Sequence, residues 1–166
     1  MRDPYFERTV VLLCQHNDDG ALGLVINKDG PVPVGAVLRS MELELAEDHD
    51  APTWWGGPVG RSTGFVVWRG QVPSDEGWTL AGEIAVSPSV DRLTRLVELR
   101  TPFHLCLGYA GWSPEQLEDE IARGSWLYAD PDAGLIFDTP PPLRYDRALG
   151  LLGLRPERVW MQPINE

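Results

Sequence analysis

The chain has 166 residues, a length that suits one hydrophobic core of ordinary size. Hydrophobic residues make up 43% and charged residues 23%, a balance that is typical of folded globular proteins and argues against disorder. The formal charge of -11 argues against a nucleic-acid-binding protein, because a strongly acidic surface repels the phosphate backbone.

The N-terminal part of the chain predicts a β-hairpin followed by a short helix. Residues 9–16 and 21–28 are apolar runs rich in β-branched side chains, and the sequence NDDG between them is typical of a tight turn. A helix is predicted over 34–41, because four apolar residues recur there at helical spacing: Val34, Val37, Leu38 and Met41.

The middle of the chain predicts a loop, a strand and a second loop. Glycine and proline at 51–60 predict irregular backbone, which the two tryptophans of this segment would anchor. Residues 62–70 predict a strand, and 71–79 predict a loop.

A further strand is predicted within 82–89, with a helix directly after it. Ser87 and Pro88 have the composition of a helix start. The expected buried face of this helix consists of Val90, Leu93, Leu96 and Val97.

The last third of the chain predicts three strands and two helices. Residues 103–110, 125–129 and 134–138 are short apolar runs with strand composition. The proline run at 139–142 interrupts the chain before a helix predicted over 143–153, whose apolar stripe is Tyr145, Ala148, Leu149 and Leu152. Strands and helices follow no strict βαβ order, which predicts an α+β fold.

The segment LGYAGWSPEQLEDEI at 107–121 predicts a strand that turns directly into the first of these two helices. Ser113 is expected to cap it, Pro114 to occupy its first position, and Gln116 to complete a capping box. Trp112 and Leu117 have the spacing of a hydrophobic staple. The segment therefore predicts a well-specified structural corner.

Two glycines in this corner flank an aromatic residue. Gly108 and Gly111, on either side of Tyr109, are expected to let the backbone turn sharply into the helix. An anion site at the helix N-terminus is the alternative, and it is weaker because Glu115 and Glu118 would repel a phosphate.

The chain resembles the YqgE/AlgH family of bacterial proteins. The resemblance is carried by residues 3–27, by WGGPVG at 55–60 and by LGYAGWSPEQLEDEIARGSWL at 107–127. It implies one compact α+β domain over 1–166, in which a bent mixed or antiparallel sheet forms a pseudo-barrel with flanking helices. The family usually has an additional N-terminal strand, which is not found here. It implies no particular reaction, and one member is associated with regulation of alginate synthesis.

One candidate binding surface is the segment that we call the WWGGP segment. Its residues could form an exposed aromatic platform for a partner, or they could anchor a loop to the core. They are Trp54, Trp55, Gly56, Gly57 and Pro58. Together with Tyr109 and Trp112 of the corner, this segment is the preferred binding surface.

A second candidate site surrounds the histidine at the hairpin tip. His16, which is followed by the candidate residue Asn17, could form a small polar pocket with Asp3 or Asn27. Such a pocket is the basis of the alternative function, an enzyme of hydrolase type. Turn chemistry alone accounts for the other polar residues at the tip.

A zinc site is a third hypothesis. Cys14 with His16, and His104 with Cys106, would supply four ligands if their strands were neighbours. The competing interpretation is favoured, since cysteines on apolar strands are usually part of the core. We therefore expect neither a metal nor a cofactor.

These features together favour a binding or regulatory module without catalytic activity. Its partner would be an unidentified protein or small molecule, and neither a membrane nor a nucleic acid. Two cysteines, the lack of a long apolar segment and the lack of a signal peptide predict a cytoplasmic location.

Overall fold

A computed structural model describes residues 8–43 and 51–153. In these ranges eight strands belong to one sheet: β1 (Val11–Asn17), β2 (Gly20–Val25), β3 (Asp29–Pro33), β4 (Pro52–Trp55), β5 (Val59–Arg69), β6 (Trp78–Leu80), β7 (Ile84–Ser87) and β8 (His104–Trp112). They are accompanied by the helices α1 (Val34–Ser40), α2 (Val90–Glu98), α3 (Gln116–Ala122), α4 (Ala133–Phe137) and α5 (Arg144–Leu151). A 3-10 turn at Pro141–Leu143 leads into α5.

The sheet bends until its two end strands meet. Its order is β1-β2-β8-β5-β7-β6 with antiparallel neighbours throughout, while β4 joins β8 in parallel and β3 lies outside β4. The end strands β1 and β6 contact each other but are not paired in the described ranges. The chain is thus a single α+β domain with a nearly closed mixed sheet, which confirms the expected fold class.

Helices cover both faces of the sheet. Phe65 and Val67 of β5 belong to one buried cluster, which includes residues of α4. Val66 and Trp68 point to the opposite face, into a second cluster with residues of α1 and α2. This alternation follows from the two-residue period of a strand and explains why β5 is apolar without interruption over these positions.

Several predicted elements are confirmed. The hairpin forms as β1 and β2, and the Asn17 side chain accepts a hydrogen bond from the Asp19 N–H (2.8 Å) in its turn. The predicted helices at 34–41 and 143–153 correspond to α1 and α5, and the predicted strands at 62–70 and 103–110 correspond to β5 and β8.

The irregular loop predicted at 51–60 is wrong, since this segment contains β4 and the start of β5. Trp54 and Trp55 pair in parallel with β8 at Cys106 and Leu107. Glycine and proline suggested a loop, but Gly56 and Gly57 lie where the chain after β4 packs closely against the main chain of β8. An added Cβ at Gly57 would overlap the main chain of β8.

The loop predicted at 71–79 misses a short strand. Trp78 is the first residue of β6, which pairs with β7 at Val86. Three residues are too few to produce a visible alternation of apolar and polar side chains.

Two strands predicted near the C-terminus are wrong. Residues 125–129 are irregular, and 134–138 fall largely within α4. The Asp132 carboxylate accepts a hydrogen bond from the Leu135 N–H (3.1 Å) and thereby caps α4. A short apolar run does not distinguish a strand from a helix, and here the N-cap decides.

Helix α2 begins two residues later than predicted. Ser89, not Ser87, is its N-cap, and the Ser89 hydroxyl accepts a hydrogen bond from the Arg92 N–H (3.2 Å). The buried Ser87 hydroxyl instead donates to the Glu76 carbonyl (2.6 Å). Val90, expected on the buried face, is the first residue of α2 and is exposed, whereas Leu93 and Leu96 of that face are buried as expected.

Ser113 is not the N-cap of α3, as the sequence suggested. A turn closed by the Gln116 N–H and the Ser113 carbonyl (3.0 Å) precedes the helix, and Glu115 takes a left-handed conformation with φ 68°. Half of the expected capping box is present, since the Gln116 side chain accepts a hydrogen bond from the Ser113 N–H (2.9 Å). Trp112 and Leu117 share one buried cluster, as a staple requires.

Candidate binding crevice

A crevice of about 710 Å³ lies beside β1. Strand β1 forms one wall, and the irregular segment 125–132 forms the other together with α3, α4 and α5. We call this opening the β1 crevice. Its lining is mainly apolar, and its polar groups are confined to a few positions described below.

The crevice follows the edge of β1, not one of its faces. Every residue from 8 to 16 lines it. A cleft on one face would touch alternate residues, because successive side chains of a strand point to opposite faces. Among the described residues, β1 is also an end strand of the sheet, and β2 is its partner on one side only.

The main chain of β1 presents hydrogen-bonding groups to the crevice. The Val10 carbonyl accepts a hydrogen bond from the Ile26 N–H (2.9 Å), so the main-chain groups of Val10 face β2. Main-chain groups alternate in direction along a strand, and the N–H and carbonyl groups of Val11 and Leu13 therefore face away from β2. The register shifts after Leu13, which limits this regular edge to the first part of β1.

Two indole rings form an aromatic wall of the crevice. Trp112 at the end of β8 and Trp126 after α3 meet edge to face, with ring centroids 5.9 Å apart. Glu120 fixes this pair, because one of its carboxylate oxygens accepts hydrogen bonds from both indole N–H groups (3.1 and 2.9 Å). Its other oxygen accepts from the Gln116 side chain (3.0 Å). The sequence analysis missed Glu120, because its partners lie on three different elements.

A histidine of the crevice lining contacts a carboxylate outside it. The His16 Nε2 and a carboxylate oxygen of Glu118 are 2.6 Å apart, a contact that joins the hairpin to α3. This hydrogen bond lowers the pKa of Glu118 below its ordinary value. His16 lines the crevice, and its hydrogen-bond partner is Glu118, not Asn17 or Asn27.

The ionisable groups along the remaining rim are mostly paired. Arg8 contacts Asp146 (3.3 Å) and lies over the Tyr145 ring. Asp132 is 3.9 Å from Arg147. Asp130 also lines the crevice and has no ion-pair partner in the described part of the chain, which leaves the rim with a spare negative charge.

The WWGGP segment does not line the crevice. Trp54 is 3% exposed, and its ring stacks on His104 (4.4 Å between centroids). Gly56 and Gly57 are buried too, whereas Pro58 and Trp55 are half-buried. The structure thus supports the anchoring interpretation for this segment and excludes an exposed platform that includes Trp54.

Other candidate residues have structural contacts of their own. Both polar atoms of the Asn27 side chain are hydrogen-bonded to main chain before β1, at Val10 (2.9 Å) and Arg8 (2.9 Å). Tyr109 packs edge to face on Phe65 (6.0 Å). Of the predicted site residues, His16 and Trp112 line the crevice, and Asp3 lies outside the described residues.

The four residues of the zinc hypothesis are not brought together. Strand β2 separates β1 from β8, and His104 stacks on Trp54 while His16 pairs with Glu118. Burial raises the pKa of the Cys14 thiol to about 12 and that of Cys106 further still, so both remain protonated at neutral pH. They are core residues.

A buried arginine was missed by the sequence analysis. Arg144 at the start of α5 is 2% exposed, and it donates hydrogen bonds to the carbonyls of Thr139 (2.9 Å), Ile136 (2.6 Å) and Ile26. Burial lowers its pKa to about 10. It connects α4, α5 and the end of β2 beneath the crevice, and nothing in the sequence separates it from surface arginines.

The fold and the crevice define a single-domain α+β protein whose open sheet edge lines an apolar cleft. No helix in the described ranges is long and apolar enough to span a membrane. The chain belongs to the AlgH-like family (DUF179), which matches residues 1–157. The resemblance inferred from the motifs is thereby confirmed.

Individual relatives agree with this assignment. A UPF0301 protein from Vibrio cholerae is 38% identical over 96% of this chain and 89% of its own length. The solution structure of the AlgH protein from Pseudomonas aeruginosa is similar, with a TM-score of 0.79 and 35% identity over 98% of this chain and 88% of that one. A protein from Corynebacterium diphtheriae, at 20% identity and a TM-score of 0.64, covers 89% of this chain and 81% of its own and shares the fold.

Proposed function

We propose that this protein is a non-catalytic binding module, acting in the cytoplasm, that holds an apolar ligand or partner segment in the β1 crevice. The observation that carries the proposal is the crevice itself. Its volume of about 710 Å³ lies in the range of ligand sites, and its apolar lining with few polar groups has the usual composition of such sites.

The aromatic wall supports binding. The indole N–H groups of Trp112 and Trp126 already donate to Glu120. An apolar ligand can therefore contact these rings without leaving a buried N–H group unpaired. The net charge of -11 opposes an anionic ligand such as nucleic acid. Two buried free cysteines are consistent with a reducing compartment.

The test is titration with the neutral fluorescent probe N-phenyl-1-naphthylamine. Ala148 is half-buried on α5 and lines the crevice, so Ala148→Phe should fill it and weaken probe binding at least tenfold. Ala36 is half-buried on α1 and distant from the lining, and Ala36→Phe is the matched control. Failure of the wild type to bind the probe, or equal binding by a folded Ala148→Phe variant, would contradict the proposal.

Hydrolysis is a second candidate, favoured by the His16–Glu118 contact at the crevice. A histidine oriented by a carboxylate is two parts of a nucleophilic catalytic set. The third part has no visible member, because no hydroxyl or thiol in the described residues is hydrogen-bonded to His16 and the Cys14 thiol is protonated. Turnover of p-nitrophenyl acetate that is lost in His16→Ala, with the fold intact, would favour this candidate over binding alone.

A further inference from the structure

We propose that the occupant of the β1 crevice is an extended, basic peptide segment of a partner protein, which adds to the open edge of β1 as a new strand. This inference rests on the proposed binding function and names the partner's chemistry. The open edge, the opposite wall and the charge of the rim carry it.

The first observation is the state of the β1 edge. Val11 and Leu13 direct their main-chain groups away from β2 and towards the crevice, as derived above from the Val10 hydrogen bond. Proteins usually block an open edge with proline, lysine or a very short strand. Strand β1 has seven residues, VLLCQHN, without proline or lysine, and its regular edge before the register shift at Leu13 has none of these devices. An unblocked edge inside a cleft is a suitable template for strand addition.

The second observation concerns the wall opposite β1. Residues 125–129 have the composition of a strand but are irregular and belong to no strand in the described chain. Leu127 and Tyr128, 37% and 64% exposed, lie at the rim of the crevice with Leu151 and Leu152, which are exposed too. An inserted strand would cover these apolar side chains and would lie between β1 and the irregular segment 125–129.

The third observation is charge. Asp130 supplies the spare negative charge of the rim, while Arg8, Asp132 and His16 are engaged with protein partners. A lysine or arginine of the incoming strand would meet Asp130, and the chain's net charge of -11 would favour its approach. Because strand side chains alternate, the matching sequence alternates apolar and basic residues.

A second copy of this chain fits the site less well. Edge-to-edge pairing of two β1 strands requires both edges to approach freely, whereas segment 125–132 stands in front of β1. Each copy would also bring the same net charge of -11. A single strand from a basic partner has neither difficulty.

The experiment uses a fluorescein-labelled hexapeptide in which valine and lysine alternate, measured by fluorescence anisotropy. The same peptide with every amide N-methylated keeps its side chains and charge but cannot donate main-chain hydrogen bonds. The first peptide should bind the full-length wild-type protein, and the methylated one should bind at least tenfold more weakly. Equal binding of both peptides would overturn strand addition.

A protein variant provides the reciprocal test. Val11→Pro removes an N–H that points into the crevice and spares the bonds to β2, which makes proline tolerable on this edge. Peptide affinity should fall about tenfold, the upper value for one hydrogen bond, and an unchanged affinity in the folded variant would overturn the inference. If the variant misfolds, hydrogen exchange of the wild-type protein replaces this test. The Val11 and Leu13 amides should become protected when the peptide binds, and amides that stay unprotected would overturn the inference.

The two proposals fail in different ways. Probe binding without peptide binding overturns strand addition and leaves the binding crevice intact. Absence of both overturns the crevice as a binding site and strand addition with it.

Discussion

The guanidinium carbon of Arg144 lies 4.6 Å from the ring centroid of Trp54, and no carboxylate accompanies this buried pair in the described contacts. Main-chain carbonyls of three segments solvate the cation instead. A buried charge without a counter-ion is tolerated only when its hydrogen bonds are complete. The pair therefore fixes the relative positions of β4, α4 and α5.

Arg144→Lys should destabilise the protein by about 2–4 kcal/mol, because an ammonium group cannot reach the three carbonyls that the planar guanidinium serves. Urea unfolding followed by circular dichroism measures the change. Arg147→Lys on the same helix is the control, since Arg147 is exposed and its contact with Asp132 is long, and it should change stability by less than about 0.5 kcal/mol. Equal effects would show that the carbonyl contacts of Arg144 are unimportant.

Glu120→Ala should destabilise the protein by about 2 kcal/mol, because two indole N–H groups lose their common acceptor. It should also weaken binding of N-phenyl-1-naphthylamine, since the aromatic wall would no longer be fixed. Asp119→Ala, on the exposed side of the same helix, is the matched control. Thermal unfolding and probe titration check both effects, and an unchanged Glu120→Ala variant contradicts the role assigned to the carboxylate.

Gly57→Ala should destabilise the protein by about 3 kcal/mol or more, because φ is +152° and the new methyl group would overlap the main chain of β8 near Tyr109. Gly111→Ala is the control on β8, where an added Cβ would meet nothing closer than 3.8 Å. Chemical unfolding should therefore show a large loss of stability in Gly57→Ala and little change in Gly111→Ala. A stable Gly57→Ala protein would mean that the chain after β4 packs less closely against β8 than described.

The His16–Glu118 contact should appear in the titration of the Glu118 carboxyl group. Its pKa is lowered in the folded protein, so the contact stabilises the fold above the ordinary carboxyl pKa, and this contribution is lost as the pH falls through the lowered value. Carbon-detected NMR of the carboxyl group should show a midpoint below 4.5 in the wild type and a return towards 4.5 in His16→Phe. An identical midpoint in both proteins would rule out the hydrogen bond in solution.

Local patterns carried the sequence prediction, and long-range contacts limited it. The hairpin was predictable because NDDG specifies its own turn, and β5 and β8 because their apolar runs are long. The motif residues also led to the correct family. The strand predicted at 134–138 is wrong because the Asp132 cap favours a helix over a short apolar run, and β6 was missed because it has only three residues.

The candidate site was harder to predict than the fold. His16 and Trp112 were chosen as candidates for two separate surfaces, and both line the crevice, which the sequence did not predict. Trp54 is equally conspicuous but belongs to the core, since only the parallel pairing of β4 with β8 decides its burial. The open edge of β1 could not be predicted at all, because it depends on which strands end the sheet.

The central place of β8 has a consequence for how the chain acquires its structure. This one strand pairs with β2, β4 and β5, all of which precede it by long stretches of sequence. During synthesis the sheet cannot form around the N-terminal hairpin and β4 until β8 (His104–Trp112) has left the ribosome. We therefore expect slow, late folding that depends on these distant contacts, and nascent chains that stop short of β8 should need chaperone protection.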